Sequence, residues 1–388
     1  MQPFIIKAQP EDFIVKERIE VTFLKKGPFA IYQLTKRNWG TLEVLQFLSK
    51  RSRIPFVDIS YGGRKDKHAQ TTQYISIKHS RPPAPLREKN YTLSLCGFLD
   101  RPMGPDLITA NSFTIIVRDL AERVADTIVE EADRVGGTGF ANYFDDQRFG
   151  SLDTSSGFIA EKIIKRQYNG ALKIYLTSIV PQDTPSTRQR KKLLFNSWRS
   201  WKTCLAEAKT PLEKEVFSFL VKHSTGYLPV LQRIPRHQMS LFFSAYQSYL
   251  WNEVLRRFIG TLACGPLRGY RGRAGEYLFL SDGASSALAQ LVYPLPAAKI
   301  TLPDEVSGIY NTVLAENGIR PAMFNNRAIR QAYCKAHPRR AFVIPEALSC
   351  RASADELYIG KRKITFAFSL PAASYATMFL KFLFSLSG

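Results

Sequence analysis

Alternating hydrophobic and polar residues in the first third of the chain predict short β-strands with helices between them. The strands are predicted at residues 13–21, 29–34, 74–77, 91–96 and 111–117. Two amphipathic segments predict helices, one at 41–49 that is capped by Thr41 and one at 120–135 that ends at two glycines. Because strands and helices interleave without a regular βαβ repeat, the pattern predicts an α+β fold with a mixed β-sheet.

The middle of the chain differs, because hydrophobic residues recur there mainly with helical spacing. Helices are predicted at 193–208, 212–223 and 239–259, and a glycine-rich basic loop at 265–275 interrupts this helical region. The C-terminal segment returns to a strand at 363–369 and a helix at 375–384. This order predicts a helical module inserted into a sheet domain that the C-terminal segment completes.

The C-terminal stretch 364–386 is long and apolar enough to resemble a membrane span, with Lys381 as its only charge. Pro371 interrupts the stretch and separates a short strand from a helix, each of which suits a buried core. We therefore expect no membrane association.

Positive charge is concentrated in the predicted helical module. The chain has 54 lysines and arginines against 33 aspartates and glutamates, a formal net charge of +21. Residues 1–155 contain 22 basic and 19 acidic side chains, whereas residues 156–337 contain 25 and 11. A solvated basic surface also occurs in proteins with no anionic partner, but this concentration favours a nucleic-acid-binding face.

The cysteines suggest a reduced, cytoplasmic protein. Their number is odd, they are widely spaced and no C-x-x-C motif occurs, so they predict neither a disulfide framework nor a zinc cluster. Cys334 and His337 form a single C-x-x-H pair, which we interpret as structural because a closed zinc site needs four ligands. Glu11 and Asp12, close to the start, argue against a signal peptide.

The most informative segment is 61–73, in which Asp66 lies among Arg64, Lys65 and Lys67, directly after two glycines. Neighbouring cations keep a carboxylate ionised, and the glycines allow a sharp turn that exposes it. Such an aspartate can act as a nucleophile or as a base. The alternative is a solvated basic turn in which Asp66 only offsets the charge of its neighbours.

The sequence lacks the motifs of several well-known enzyme classes. It contains no nucleoside-triphosphate loop, no H-E-x-x-H zinc motif and no G-x-S-x-G elbow. Asp145 and Asp146 could join Asp66 around a metal ion, as in a nuclease, but no further ligands are evident near them. The sequence therefore predicts neither a metal nor a cofactor.

Four segments, taken together, resemble the TruD family of tRNA pseudouridine synthases. They read PEDFIVKE at 10–17, GRKDKHAQTTQ at 63–73, NYFDDQRFG at 142–150 and LPAASYAT at 370–377, in the order that the family has. Weaker matches include Asn111-Ser-Phe113 with Arg118, and Trp251-Asn252, so the resemblance covers essentially the whole chain.

The resemblance implies a fold, an activity and a partner. The fold is a pseudouridine synthase catalytic domain split between 1–155 and 338–388, with a largely helical, basic, RNA-binding TRUD domain inserted at 156–337. The activity is the cofactor-free isomerisation of a uridine in tRNA, usually at position 13, to pseudouridine. We expect a monomer that needs no protein partner.

The resemblance also implies roles for single residues. Asp66 matches the nucleophile, which attacks either ribose C1′ or uracil C6, and Lys7 or Lys65 would keep it ionised. Because the base must leave its stack, it needs a pocket of aromatic and amide groups. The pocket and its surroundings match Phe13, Asn142, Phe144, Tyr375, Gln147 and Arg148. Thr71 and Gln73 are expected to order the Asp66 loop.

The chain departs from the family pattern at three positions. The family usually has glycine where this chain has Asp145 and Ala373, and often proline where it has Ala141. The extra charge of Asp145 could weaken RNA binding, whereas Ala373 requires only a negative φ. A noncatalytic RNA-binding protein of the same fold and a metal-dependent nuclease remain as alternatives.

Overall fold

The structure, a computed structural model, describes residues 4–78, 83–262, 265–331 and 333–386. One of the five cysteines, Cys264, lies outside these residues. The chain forms two compact units. The first unit comprises Met1–Phe140, Asp282–Ala289 and Phe342–Gly388, and the second comprises Ala141–Ser281 and Gln290–Ala341.

The elements are numbered in chain order. The strands are β1 Ile5–Ile6, β2 Phe13–Ile19, β3 Phe29–Arg37, β4 Ile59–Tyr61, β5 Gln70–Lys78, β6 Leu86–Arg87, β7 Tyr91–Leu99, β8 Ile108–Leu120, β9 Phe140–Ala141, β10 Leu152–Asp153, β11 Gly157–Phe158, β12 Leu267–Gly272, β13 Gly275–Leu280, β14 Val292–Pro294, β15 Pro338–Arg340, β16 Phe342–Val343, β17 Glu346–Ala354 and β18 Arg362–Pro371. The helices are α1 Thr41–Ser52, α2 Glu122–Val135, α3 Ile159–Ile164, α4 Tyr168–Thr177, α5 Pro185–Asn196, α6 Trp201–Glu207, α7 Pro211–Lys222, α8 Tyr227–Leu231, α9 Arg236–Thr261, α10 Asp304–Glu316 and α11 Ala376–Leu386.

The first unit is built on one large mixed sheet with the strand order β17-β18-β8-β2-β5-β3-β7-β6. Strand β1 also pairs with β8, and β4 pairs with β5. The β2–β5 pair is parallel, and the other pairs of this sheet are antiparallel. The long strand β8 therefore lies between an N-terminal strand and the C-terminal strand β18.

The hydrophobic core of the first unit forms where helices cover this sheet. Val44, Leu45 and Leu48 of α1 are fully buried in a cluster with side chains of β3, β5 and β7. Phe379 of α11 packs edge-to-face on Phe368 of β18, with ring centroids 4.9 Å apart. The stretch 364–386 is thus a strand followed by a helix, and among the described helices none has the length and apolarity to cross a membrane.

A buried ionic network joins distant parts of the first unit. The fully buried guanidinium of Arg118, on β8, donates to Asp12 Oδ1 at 2.8 and 2.9 Å and to Asp355 Oδ1 at 2.8 Å. A buried arginine is tolerated when carboxylates accept its hydrogen bonds in this way. The network ties the N-terminal segment and the segment after β17 to the same strand.

Helix α1 begins differently from the prediction. Its N-cap is Gly40, whose N–H donates to Glu43 Oε2 at 2.9 Å. The hydroxyl of Thr41 is used elsewhere, because it accepts from Lys65 N and donates to Gln73 Oε1, both at 2.9 Å. Thr41 therefore contributes to the loop of Asp66 and does not cap its own helix.

The second unit is mainly helical, as predicted, but two of its predicted elements are wrong. The single helix predicted at 193–208 is two helices, α5 and α6, because Arg199 between them has a left-handed φ of 80°. The loop predicted at 265–275 is the first part of the hairpin of β12 and β13. Gly275 follows the hairpin turn with a φ of 134°, which suits glycine.

The two units do not begin and end at the predicted domain boundaries. The sequence placed the boundaries at 155/156 and 337/338. Along the chain, the first compact unit gives way to the second at 140/141 and resumes at 341/342, and the segment Asp282–Ala289 also belongs to the first unit. The predicted division into a split catalytic domain and an inserted TRUD domain stays a prediction.

Candidate active site

Asp66 lies in the loop that connects β4 to β5. Lys7 Nζ donates to Asp66 Oδ2 at 2.6 Å. The side chain of Asp66 is 35% exposed and that of Lys7 only 16% exposed, so the carboxylate is accessible while its cation is sheltered. Gly62 allows close packing, because a Cβ there would lie 2.9 Å from the main-chain oxygen of Gly104.

Lys7 is held in position by its backbone and by an aromatic ring. It follows β1 with a left-handed φ of 64°, an uncommon conformation for a residue with a side chain. Its Nζ lies 4.1 Å from the centroid of the Phe13 ring, a cation–π contact. Phe13 is itself buried and packs edge-to-face on Phe113. In this structure Phe13 therefore supports Lys7, and its predicted stacking on a base stays a prediction.

Lys65 contacts other groups than Asp66. Its Nζ donates to Asn111 Oδ1 at 2.6 Å and forms an ion pair with Glu17 Oε1 at 2.9 Å. Glu17 and Asn111 are directly opposite each other on β2 and β8. Lys65 thus anchors the loop to the sheet, and the cation in contact with the Asp66 carboxylate is Lys7.

Gln73 orders the start of the Asp66 loop, whereas Thr71 does not do so through its hydroxyl. Gln73 Nε2 donates to Gly63 O at 3.2 Å, and its Oε1 accepts from Thr41. Thr71 is fully buried, and the described residues offer its hydroxyl no hydrogen-bond partner.

Lys36 is a residue of this site that the sequence reasoning missed. Its side chain is fully buried on β3, and its Nζ donates to the main-chain oxygen of Asp66 at 2.7 Å. Burial lowers the pKa of Lys36 to about 8, although the charges of Asp66 and Glu43 oppose this shift. The alternation of Tyr32, Leu34 and Lys36 on one face of β3 was a signal, because it places the lysine at an inward position.

Replacing Lys36 with methionine is expected to remove part of the pH dependence of folding. The pKa of Lys36 is lower in the folded chain than the value of about 10.4 expected when unfolded. Between these values the unfolded chain binds more protons, so the free energy of unfolding rises with pH. Urea unfolding at pH 7.5 and 9.5 should show the wild type gaining about 2 kcal/mol relative to Lys36→Met over this range. A matched change at the exposed Lys78 should leave the pH dependence unaltered.

Tyr375 lies in the loop between β18 and α11 and is half-buried. Strand β18 ends beside β8, where Leu370 is opposite Asn111, the residue that binds Lys65. The chain thus returns to the part of the sheet that anchors the Asp66 loop.

The expectation of a negative φ at Ala373 is wrong. Ala373 has a left-handed φ of 64°, a conformation in which a Cβ costs about 1 kcal/mol. This strain is a physical reason for glycine to be favoured at the position.

Ala373→Gly is therefore expected to stabilise the protein, by about 1 kcal/mol in the free energy of unfolding. The neighbouring residue offers a matched control, because Ala372 does not have a positive φ. Ala372→Gly should instead destabilise the protein, since glycine there only adds freedom to the unfolded chain. Equal effects of the two changes in urea unfolding would contradict the strain at Ala373.

Asn142 and Phe144 belong to the second unit, where both are buried. Asn142 Nδ2 donates to Arg340 O, and its Oδ1 accepts from Arg339 Nη2, both at 3.0 Å. The guanidinium carbon of Arg339 also lies 3.9 Å from the centroid of the Phe144 ring. The amide and the ring are thus engaged within their own unit, and their predicted contacts with a uridine stay predictions.

Gln147 and Arg148 line an open pocket of about 490 Å³ in the second unit, together with Tyr175, Lys191 and Phe242. Gln147 is exposed, and the guanidinium carbon of Arg148 lies 5.3 Å from the centroid of the Phe144 ring. The described residues give the buried Nε of Arg148 no hydrogen-bond partner. The pocket thus combines two cationic side chains with two aromatic rings, and the predicted RNA contacts of Gln147 and Arg148 stay predictions.

Asp145 and Asp146 have structural contacts within the second unit. Asp145 is buried and caps a short 3₁₀ helix through a hydrogen bond from Asp146 N. Asp146 Oδ1 accepts from Tyr277 OH and from Arg273 N, both at 2.7 Å. The φ of Asp145 is −80°, so no glycine is required there. The carboxylate of Asp145, whose charge was expected to weaken RNA binding, is thus buried and caps this 3₁₀ helix.

Comparisons with known proteins agree on one family. The chain matches the family tRNA pseudouridine synthase D (TruD) over residues 4–264. It is 31% identical to a probable tRNA pseudouridine synthase D 1 of Methanococcus maripaludis, over 97% of this chain and 98% of that protein. It is 29% identical to a tRNA pseudouridine synthase D of Aquifex aeolicus, over 98% of this chain and 97% of that protein.

A solved structure agrees with these sequence matches. It is the crystal structure of a candidate tRNA pseudouridine synthase D (TruD) from Methanosarcina mazei, which is 25% identical in sequence and superposes with a TM-score of 0.71. The match covers 97% of this chain and 92% of that one. The α+β fold with a mixed sheet is thereby confirmed. The chain belongs to the TruD family of tRNA pseudouridine synthases, which confirms the family and the enzyme class predicted from the sequence.

Proposed function

We propose that this protein isomerises a uridine of tRNA to pseudouridine, with Asp66 as the nucleophile and without a cofactor. The observation that carries the proposal is the ion pair between the accessible Asp66 carboxylate and the sheltered Lys7, at 2.6 Å. A carboxylate that faces solvent while a fixed cation supports its charge can approach an electrophilic carbon.

Two routes lead from this carboxylate to pseudouridine. In the first, an oxygen of Asp66 bonds to ribose C1′ while the N1–C1′ bond breaks and its electron pair leaves on uracil N1. The uracil turns in place, C5 bonds to C1′, and the carboxylate is released. In the second, the oxygen adds to uracil C6 before the glycosidic bond breaks, and it is eliminated after the new bond forms. Both routes end with loss of the C5 hydrogen as a proton and protonation of N1.

The groups around Asp66 fix its position before substrate arrives. Lys7 holds one carboxylate oxygen of Asp66, and Lys36 holds its main-chain oxygen. Lys65, the residue before Asp66, is anchored to β2 and β8 through Glu17 and Asn111. Such preorganisation lowers the cost of reaching the reactive geometry.

The base must leave its stack to reach Asp66, which costs a few kcal/mol. We assign the contacts that offset this cost to Phe13, Asn142, Phe144 and Tyr375, with Gln147 and Arg148 as further RNA contacts. The half-buried Tyr375 and the pocket beside Arg148 support these assignments.

The partner that we propose is tRNA, with the uridine at position 13 as the target, bound by a monomer in the cytoplasm. The basic character of residues 156–337 supports a polyanionic partner, with 25 basic against 11 acidic side chains. Size-exclusion chromatography with and without tRNA would test the one-to-one complex.

Release of tritium from tRNA labelled with [5-³H]uridine, in monovalent salt and excess chelator, tests the proposed reaction. We expect release into water with no change in RNA length, and loss of this release from a matched transcript with cytidine at position 13. Shortened RNA that requires metal would instead identify a nuclease. Tight binding without release from any tRNA would identify a noncatalytic RNA-binding protein.

A further inference from the structure

The second unit contains a large cavity between the end of α3 and the segment 320–328. It has a volume of about 930 Å³ and is lined by Lys165, Arg166, Tyr168, Arg320, Asn325 and Arg327, among others. None of the residues assigned to the reaction lines it. A cavity of this size can hold a nucleotide-sized group.

Arg166 occupies a backbone position at which glycine is the usual residue. Helix α3 ends in a Schellman motif, in which the Arg166 N–H donates to Ile163 O at 3.0 Å. The Gln167 N–H donates to Lys162 O at 2.7 Å, which completes the motif. Arg166 has the left-handed φ of 58° that the motif requires, although its Cβ disfavours this φ. Arg166 is exposed and lines the cavity, so its guanidinium is accessible to a ligand there.

The two walls of the cavity are tied together by Asn326. Its Nδ2 donates to Ile163 O, the carbonyl at the end of α3, at 3.3 Å. Its Oδ1 accepts from Ala328 N at 3.0 Å and from Ile329 N at 3.3 Å. These bonds fix the segment of Arg327 against the segment of Arg166, so the cavity is a built feature of the fold.

The cavity has positive charge that the protein does not neutralise. Lys165 pairs with Glu161 at 2.7 Å. Arg166, Arg320 and Arg327, in contrast, have no carboxylate at ion-pair distance within the described parts of the chain. Three guanidinium groups around one cavity repel one another, and a polyanion in the cavity makes their arrangement favourable.

We propose that this cavity binds a phosphodiester segment of tRNA, with Arg166, Arg320 and Arg327 on the phosphates and Tyr168 under a base. The proposal rests on the proposed function, because it names a second RNA contact of the same enzyme. The half-buried aromatic ring among the arginines favours RNA over an acidic protein or a lipid surface, since bases stack on such rings.

Arg166→Gly tests the proposal with opposite effects on binding and stability. The change removes one guanidinium and relieves the left-handed strain, so the melting temperature should rise by about 2 °C. The Kd for tRNA should increase about 3–10-fold, and the slope of log Kd against log salt should fall by about one. Weaker binding by a more stable protein cannot be ascribed to misfolding.

Arg199→Gly is the matched control. Arg199 is also exposed, also has a left-handed φ, of 80°, and belongs to the same unit, but it does not line the cavity. It should raise the melting temperature similarly and leave the Kd and the salt slope unchanged. Equal loss of affinity in both variants, or wild-type affinity in Arg166→Gly, would overturn the proposal.

Tritium release separates this proposal from the proposed function. Arg166→Gly should raise KM about as much as Kd and leave kcat at the wild-type value, because the cavity residues take no part in the reaction. If the wild-type protein binds tRNA without releasing tritium, the proposed function fails, while the affinities of Arg166→Gly and Arg199→Gly still decide the cavity proposal.

Discussion

Asp66→Asn is expected to lower kcat for tritium release by about 10⁴-fold or more, with the Kd for tRNA within about threefold of wild type. Asparagine keeps the shape of the side chain and can still accept a hydrogen bond from Lys7, but its amide oxygen is a poor nucleophile. Because the Asp66–Lys7 pair is partly exposed, its loss should change the free energy of unfolding by less than about 1 kcal/mol.

Two further variants make the result specific to the carboxylate at this position. Asp100→Asn changes an exposed aspartate of the same unit and should leave kcat unaltered. Asp66→Glu keeps the carboxylate but moves it by about 1 Å, so an intermediate loss of about 10²-fold is expected. Release by Asp66→Asn at a rate close to wild type would remove Asp66 as the nucleophile under either route.

Lys7→Met is expected to lower kcat by about 10²-fold while KM changes less than about threefold. The methionine keeps the length and the contact with Phe13, but it loses the cation that fixes Asp66 Oδ2. A rate loss in kcat without a loss in affinity would place Lys7 as a positioning residue for the nucleophile.

Lys16→Met is the matched control for this change. Lys16 is exposed on β2 and loses the same charge, so a general effect on the affinity for polyanionic RNA would appear equally in both variants. Wild-type kcat in Lys7→Met would show that the ion pair is not needed for the reaction.

Several elements of the fold could be predicted because their hydrophobic pattern is local. Strand β8 and helix α2 are examples, since their apolar positions follow periods of 2 and 3.6 residues. Strand β5 was predicted to begin four residues late, because Thr71 and Gln73 are polar at buried positions. The break at Arg199 could not be predicted, since a left-handed φ in a residue other than glycine leaves no signal in the sequence.

The candidate site shows the same division between local and tertiary information. Charge and glycine spacing, together with the family resemblance, single out Asp66 from sequence alone. The partners of the lysines depend on the tertiary fold, because Lys65 extends to Glu17 and Asn111 while Lys7 comes from the segment after β1. Lys36 was missed because its importance depends on a contact with the main chain of Asp66, which no motif reports.

The position of β8 in the sheet has a consequence for synthesis of the protein on the ribosome. β8 pairs along its length with β18, which follows it by more than two hundred residues. At about 5–20 residues per second, β18 emerges roughly 10–50 s after β8. During this interval one side of β8 has no native partner, and the carboxylate of Asp355 is not yet present for Arg118. Nascent chains are therefore exposed to edge-to-edge association, so that expression yield should depend on chaperones that shield unpaired strands.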